Sequence, residues 1–186
     1  MSIPKNMLRI GDICLMSAQS PLAWAIRLRT AGIKNMFNKK IANHAGIVWS
    51  IDNCNDPACL FIAEMEMPCI RSTSFMEYEK AGYWSSQIIM IRRHPIYDDS
   101  AKQRFLNERI RKDVIDAVDY DTKGILEYIW PRIEDRPDEF YCSEYVRHEI
   151  QMDGADFVTP GLEKGDDCSP SDIEFATNLQ TIWTRF

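Results

Sequence analysis

Phe140-Tyr141-Cys142-Ser143-Glu144-Tyr145-Val146 puts one cysteine at the start of a predicted helix. A loop rich in Asp and Pro, Arg136-Pro137-Asp138-Glu139, runs ahead of it. Behind it, Tyr145, Val146 and Ile150 give an apolar side, and the helix runs from Cys142 to Met152 before Gly154 ends it. A helix N-terminus carries partial positive charge and unpaired N–H groups, so it favours a thiolate over a thiol. The same N–H groups can hold an oxyanion formed when that thiolate attacks a carbonyl. Such a site also needs a base, an acid and a scaffold that brings them to the helix end.

Upstream of the cysteine, the pattern predicts a scaffold of strands. Leu8 to Met16 reads as a strand interrupted by a Gly11-Asp12 bend, and Pro21 to Thr30 as a short helix with Pro in its first turn. Ile41 to Trp49 is a second strand, with His44, Gly46 and Val48 on one face. After a loop containing Asp52-Asn53 and Asp56-Pro57, Leu60 to Met67 forms a third strand, ended by Pro68. Leu60, Ile62, Glu64 and Glu66 share one side of it, and a carboxylate among aliphatic neighbours is costly unless something pairs with it. Ser72 to Lys80 reads as a short helix capped by Ser72 or Thr73, and Gln87 to Arg93 as a buried strand. Asp98 to Asp119 is the longest predicted helix, with Phe105, Leu106, Ile110, Val114 and Val118 as its apolar stripe.

On the far side of the cysteine helix, Ser169-Pro170-Ser171-Asp172 starts another helix, and Leu179 to Phe186 closes as an edge strand. Tyr120 to Gly124 reads as a turn, followed by an aromatic segment to Trp130-Pro131. Mostly sequential strands point to an α+β layer fold, an antiparallel sheet with helices segregated to one side. With no repeat or linker to divide it, the chain is expected to be one domain over residues 1–186.

Composition narrows the function classes. A formal net charge of −6 argues against nucleic acid or an anionic membrane surface as the main partner. No apolar run approaches the ~20 residues that span a bilayer. Met1 to Asn6 has no apolar signal core, so a cytoplasmic location is expected. The six cysteines include no C-x-x-C pair. Cys54 and Cys59 have the spacing of a zinc half-site, but a second half with suitable histidines is missing. Reduced thiols without metal or organic cofactor are therefore the expectation.

Elimination among the three histidines selects the base. His148 follows Cys142 by six residues on the same helix, about 240° round it, so the two side chains point apart. His94 precedes Pro95 at the end of a strand and reads as surface loop. His44 opens a strand beside Gly46, which leaves room for a ligand on that face. Glu64 is placed to orient the imidazole, the third role of a Cys-His-acid site. Each residue also has a plainer reading: His44 as a satisfied core or edge histidine, Glu64 as a surface glutamate, and Cys142 as a small core residue. Residue types and spacing alone leave both readings open.

The ordered segments Ile10-Gly11-Asp12-Ile13, Asn43-His44-Ala45-Gly46-Ile47-Val48, Phe61-Ile62-Ala63-Glu64, Tyr120-Asp121 and Tyr141-Cys142-Ser143-Glu144-Tyr145-Val146, closed by Cys168-Ser169-Pro170-Ser171-Asp172-Ile173, carry a resemblance. Together they resemble the circularly permuted, NlpC-type and YiiX-like group of papain-like cysteine hydrolases. In that group the histidine and acid strands precede the cysteine helix. The resemblance implies Cys142 as nucleophile, His44 as general base, Glu64 as the residue that orients it, and Tyr120 as an oxyanion or substrate-pocket residue. Asp12 matches a position with a structural role. Two departures stand out: Ala63-Glu64-Met65-Glu66 makes Glu66 a rival for Glu64, and Tyr145 replaces an aliphatic residue beside the nucleophile.

The function implied is a peptidase or amidase that forms an acyl-enzyme on Cys142, with peptidoglycan-type peptides as one substrate class. An alternative keeps the site but removes or transfers acyl groups on lipids or thioesters, with Trp24, Trp49, Tyr83, Trp84 and Trp130 as candidate pocket aromatics. Core packing is the commoner use of such rings. A non-catalytic binding module with the same fold is the third reading.

Overall fold

The central strand explains the layout of the rest. In this computed structural model, which describes residue 3 and residues 5–19, 21–31, 34, 38–79, 87–120, 141–161 and 168–186, strand β1 (Asp12–Ser17) is buried at every position. Its apolar run Ile13-Cys14-Leu15-Met16 suits a strand covered on both faces. The bend that launches it is fixed. Gly11 has φ +89°, and a Cβ there would lie 2.4 Å from the Tyr97 ring. Only glycine meets both demands without strain.

Strands β2 (His44–Ser50), β3 (Leu60–Glu66), β4 (Cys69–Ser74), β5 (Gln87–Arg93) and β6 (Gln180–Thr184) complete a six-stranded sheet in the order β4-β3-β2-β1-β5-β6. Every neighbouring pair is antiparallel. The helices are α1 (Pro21–Ala31), α2 (Phe75–Glu79), α3 (Ser100–Asp116), α4 (Cys142–Met152) and α5 (Pro170–Phe175). The observed architecture is therefore α+β, with β6 at the sheet edge as the sequence predicts. Among the described residues no helix is long and apolar enough to cross a membrane.

Several expectations are corrected. Cys69 to Ser74 is a strand, so the predicted helix shrinks to Phe75–Glu79. The pairings Glu64 with Arg71 and Ile62 with Thr73 decide this, since long-range partners outweigh the local capping tendency of Ser and Thr. In α3, Asp99 caps the first turn through Ala101 N at 2.7 Å, and Ala117 at φ 52° ends the helix. Its inward face is Gln103, Leu106, Asn107 and Ile110, while Phe105 is 56% exposed. His94 is buried rather than a surface loop. Its Nδ1 accepts from Ile96 N, and its Nε2 is 3.1 Å from Asn178 Nδ2. The predicted turn beyond Tyr120 and the aromatic segment to Trp130 lie outside the described residues.

Candidate active site

Helix α4 begins with the cysteine at its first position. Tyr145 N donates to Tyr141 O at 3.0 Å, closing the first turn, and Tyr141 N lies 3.4 Å from Glu144 Oε2. The hydroxyl of Ser143 donates to Cys168 O, which ties the helix start to the chain leading into α5. The buried face (Cys142, Tyr145, Val146, Glu149 and Ile150 among its residues) packs α4 against β2 and β3. Gly154, at φ +84°, terminates the helix and donates to Gln151 O at 2.9 Å.

His44 and Glu64 stand on the two strands beneath that helix. The β2–β3 register pairs Ile47 with Ala63, so Glu64 lies level with Gly46 and next to the His44 end of β2. His44 Nε2 is 2.7 Å from Glu64 Oε2. The other oxygen of Glu64 accepts from the Tyr78 hydroxyl and, at 3.4 Å, from Thr73 Oγ1. Glu64 is 2% exposed, so its carboxylate is desolvated and held by three partners. Gly46 leaves no ligand space: a Cβ there would lie 2.5 Å from Ile62 Cγ2 and 3.3 Å from Glu64 Cβ. The missing side chain lets β3 approach.

His44 also lies close enough to the Cys142 thiol that each shifts the charge state of the other. Burial would push the thiol up. The neighbouring His44 charge, the hydrogen bond to it, and backbone N–H groups of Ala45 and Ser143 outweigh burial and lower it below the ordinary cysteine value. Burial likewise opposes protonation of His44, yet Cys142 and Glu64 together raise it well above an ordinary imidazole. Both directions favour a thiolate beside an imidazolium. Cys168 is pushed the opposite way by burial, as is Cys14, which is also repelled by Asp12 and Glu64.

The remaining sequence candidates fall elsewhere. Glu66 pairs with Arg71 at 2.9 Å at the solvent edge of β3 and β4. Its side chain is 41% exposed, against 3% for Glu64. Tyr145 is buried with its hydroxyl 2.9 Å from Asp113 Oδ2, so it faces α3 instead of shaping a groove. Trp49 packs on Phe61 at 5.9 Å between ring centroids and donates to Ser72 Oγ, a core role. Tyr83, Trp84 and Trp130 lie outside the described residues. Tyr120 is buried, with its N–H on Pro68 O at 2.9 Å, just past the end of β3. Asp12 is clamped by Arg93 through Nε to Oδ1 at 2.6 Å and Nη2 to Oδ2 at 2.8 Å. Sequence reasoning missed Tyr78 and Thr73; a hydroxyl on the strand and helix after Glu64 was the available signal.

No protein-family model and no curated protein matches this chain. Among solved structures, the crystal structure of the metalloprotein yiiX from Escherichia coli O157:H7, a DUF1105 protein, aligns over 97% of this chain and 99% of that chain, with a TM-score of 0.67. The fold is similar to that of yiiX. At 15% sequence identity the likeness to yiiX extends to the fold alone.

Proposed function

We propose that the protein is a cysteine hydrolase of the circularly permuted papain-like kind, cleaving an amide through an acyl-enzyme. The observation that carries this reading is the Cys142 thiol at the start of α4, beside a His44 whose Nε2 is held by buried Glu64. Cys142 thiolate attacks the carbonyl carbon, and the N–H groups of the first turn of α4 stabilise the oxyanion. His44 gives its proton to the departing amine, then takes one from the water that cleaves the thioester. Glu64 fixes the ring and stabilises its charged form. Tyr120 lines the substrate pocket in this reading. Peptides of the peptidoglycan type are the first substrates to try.

The similar structure yiiX is a metalloprotein. Among the described residues here, no group of three or more His, Cys, Asp or Glu side chains is arranged to hold a metal ion. At the site, both Glu64 oxygens are already engaged by His44, Tyr78 and Thr73. This donor set does not fit a metal.

Alkylation by iodoacetamide tests the reading. A lowered thiol and a raised imidazole leave a pH window in which both are charged. In Cys54→Ser protein, which removes the other lowered thiol, Cys142 is therefore expected to label selectively at about pH 6, well below an ordinary cysteine near 8.5. The rate should rise through the lowered thiol value and then level. His44→Ala should move that rise to higher pH. Uniform labelling of the cysteines, or full turnover by Cys142→Ala, would refute the proposal. A mass-spectrometric screen of peptidoglycan fragments against acylated lipids then identifies the bond cleaved.

A further inference from the structure

A second pair of thiols sits away from Cys142, at the closed end of the β2–β3 hairpin. Cys54 lies four residues beyond the end of β2, and Cys59 immediately precedes β3. Both are partly exposed, whereas Cys14, Cys142 and Cys168 are buried. The two thiols influence each other across one hairpin end, where Ser50 pairs with Leu60 and so sets the cysteines on opposite arms of a single short loop.

Ser50 Oγ accepts from Cys54 N at 3.2 Å and lies 3.8 Å from its sulfur. Asp56 accepts from Ala58 N at 2.9 Å and, through its carbonyl, from Cys59 N at 2.8 Å. Asn107 of α3 donates to Asn53 at 2.6 Å, and Asn55 accepts from Ile10 N at 2.9 Å. The loop therefore holds two partly exposed thiols at the same end of the hairpin.

We propose that Cys54 and Cys59 form a reversible redox site, a dithiol that hydroperoxides convert to a disulfide. The Cys54 thiolate attacks a peroxide oxygen: an S–O bond forms, the O–O bond breaks, and the leaving oxygen takes a proton to depart as water or an alcohol. Cys59 then attacks the Cys54 sulfur. An S–S bond forms, the S–O bond breaks, and the hydroxide leaves as water with the Cys59 proton. Two thiols are oxidised by two electrons and one hydroperoxide is reduced. Cys54 is the attacking member because the contact with Cys59 and a backbone N–H of Asp56 lower it, while Cys59 is held up at about 11.

The test uses full-length Cys142→Ala protein, so that the candidate nucleophile does not consume oxidant. Reduced protein is treated with a small excess of hydrogen peroxide at about pH 7.5, blocked with N-ethylmaleimide and digested with trypsin. One tryptic peptide, residues 41–71, contains Cys54, Cys59 and Cys69. The expected product has lost two hydrogen atoms and carries one maleimide, on Cys69. Dithiothreitol should restore uptake of three. Cys59→Ser should stop at a Cys54 sulfenic acid that dimedone traps, and Cys54→Ser should leave Cys59 a free thiol. Three maleimides after peroxide, a bridge to Cys69, or overoxidation of Cys54 in protein that retains Cys59 would overturn the proposal.

Discussion

Glu64 and Glu66 are two residues apart on one strand, and alternation cannot tell them apart. Their partners do. Arg71 holds Glu66 at the solvent edge, where an ion pair is worth little. Glu64 is desolvated against His44, Tyr78 and Thr73. Glu64→Gln is therefore expected to cut turnover of any cleaved substrate by about 100-fold or more, and Glu66→Gln by no more than about twofold. Steady-state kinetics on the two variants check this; a larger loss at Glu66 would reverse the assignment. Tyr78 touches Glu64, so in the proposed reaction it would act through it as a positioning residue. Tyr78→Phe should lower kcat about tenfold and leave KM unchanged, the signature of a misaligned base. A purely structural role would instead lower the fraction of active protein and leave kcat per active site unchanged.

Among the elements, those with a clear period were legible. Helix α4 announced itself through its apolar spacing and its Gly154 stop, and β2, β3 and β5 through apolar runs between turn residues. Strand β4 did not, because Cys69-Ile70-Arg71-Ser72-Thr73-Ser74 has almost no hydrophobic alternation and its Ser and Thr also read as caps. Its identity comes from pairing with β3, which one sequence read locally does not contain. Gly46 was legible as a special position, though for the wrong reason: the space is filled by Ile62 and Glu64. Gly46→Ala is expected to destabilise the fold by about 1–3 kcal/mol through overpacking. It should also slow Cys142 alkylation at about pH 6, because the added methyl displaces Glu64 from His44. Denaturant unfolding alongside the alkylation rate measures both effects.

Across the whole molecule, buried ion pairs hold the layers in register. Asp12 and Arg93 join the start of β1 to the end of β5. Behind α4, Arg109 of α3 meets Glu149 at 2.9 Å and Asp153 at 2.8 Å. One arginine shared by two carboxylates leaves Glu149 poorly compensated. Burial, only partly offset by Arg109, pushes it up to about 7. A folded value above the unfolded one gives stability that is complete below about 4.5 and is lost as pH rises through about 7. Glu149 alone should therefore lower the unfolding free energy by about 3 kcal/mol between pH 4.5 and 8. Urea unfolding of the wild type and Glu149→Gln across that range should show a flatter profile in the variant. None of these pairings was visible from spacing, since Arg109 comes from α3 and its carboxylates from the end of α4, and Asp12 and Arg93 from strands far apart in the chain.

The order of parts along the chain has a consequence for its birth. A ribosome delivers His44 and Glu64 on adjacent strands of the growing sheet well before it adds Cys142. An interrupted translation product that stops short of α4 carries the proposed base and its anchor but no nucleophile. A chain that contains Cys142 yet fails to dock α4 on β2 and β3 keeps an ordinary, sluggish thiol. In the proposed reaction, chemical competence therefore waits on the docking of α4 against β2 and β3.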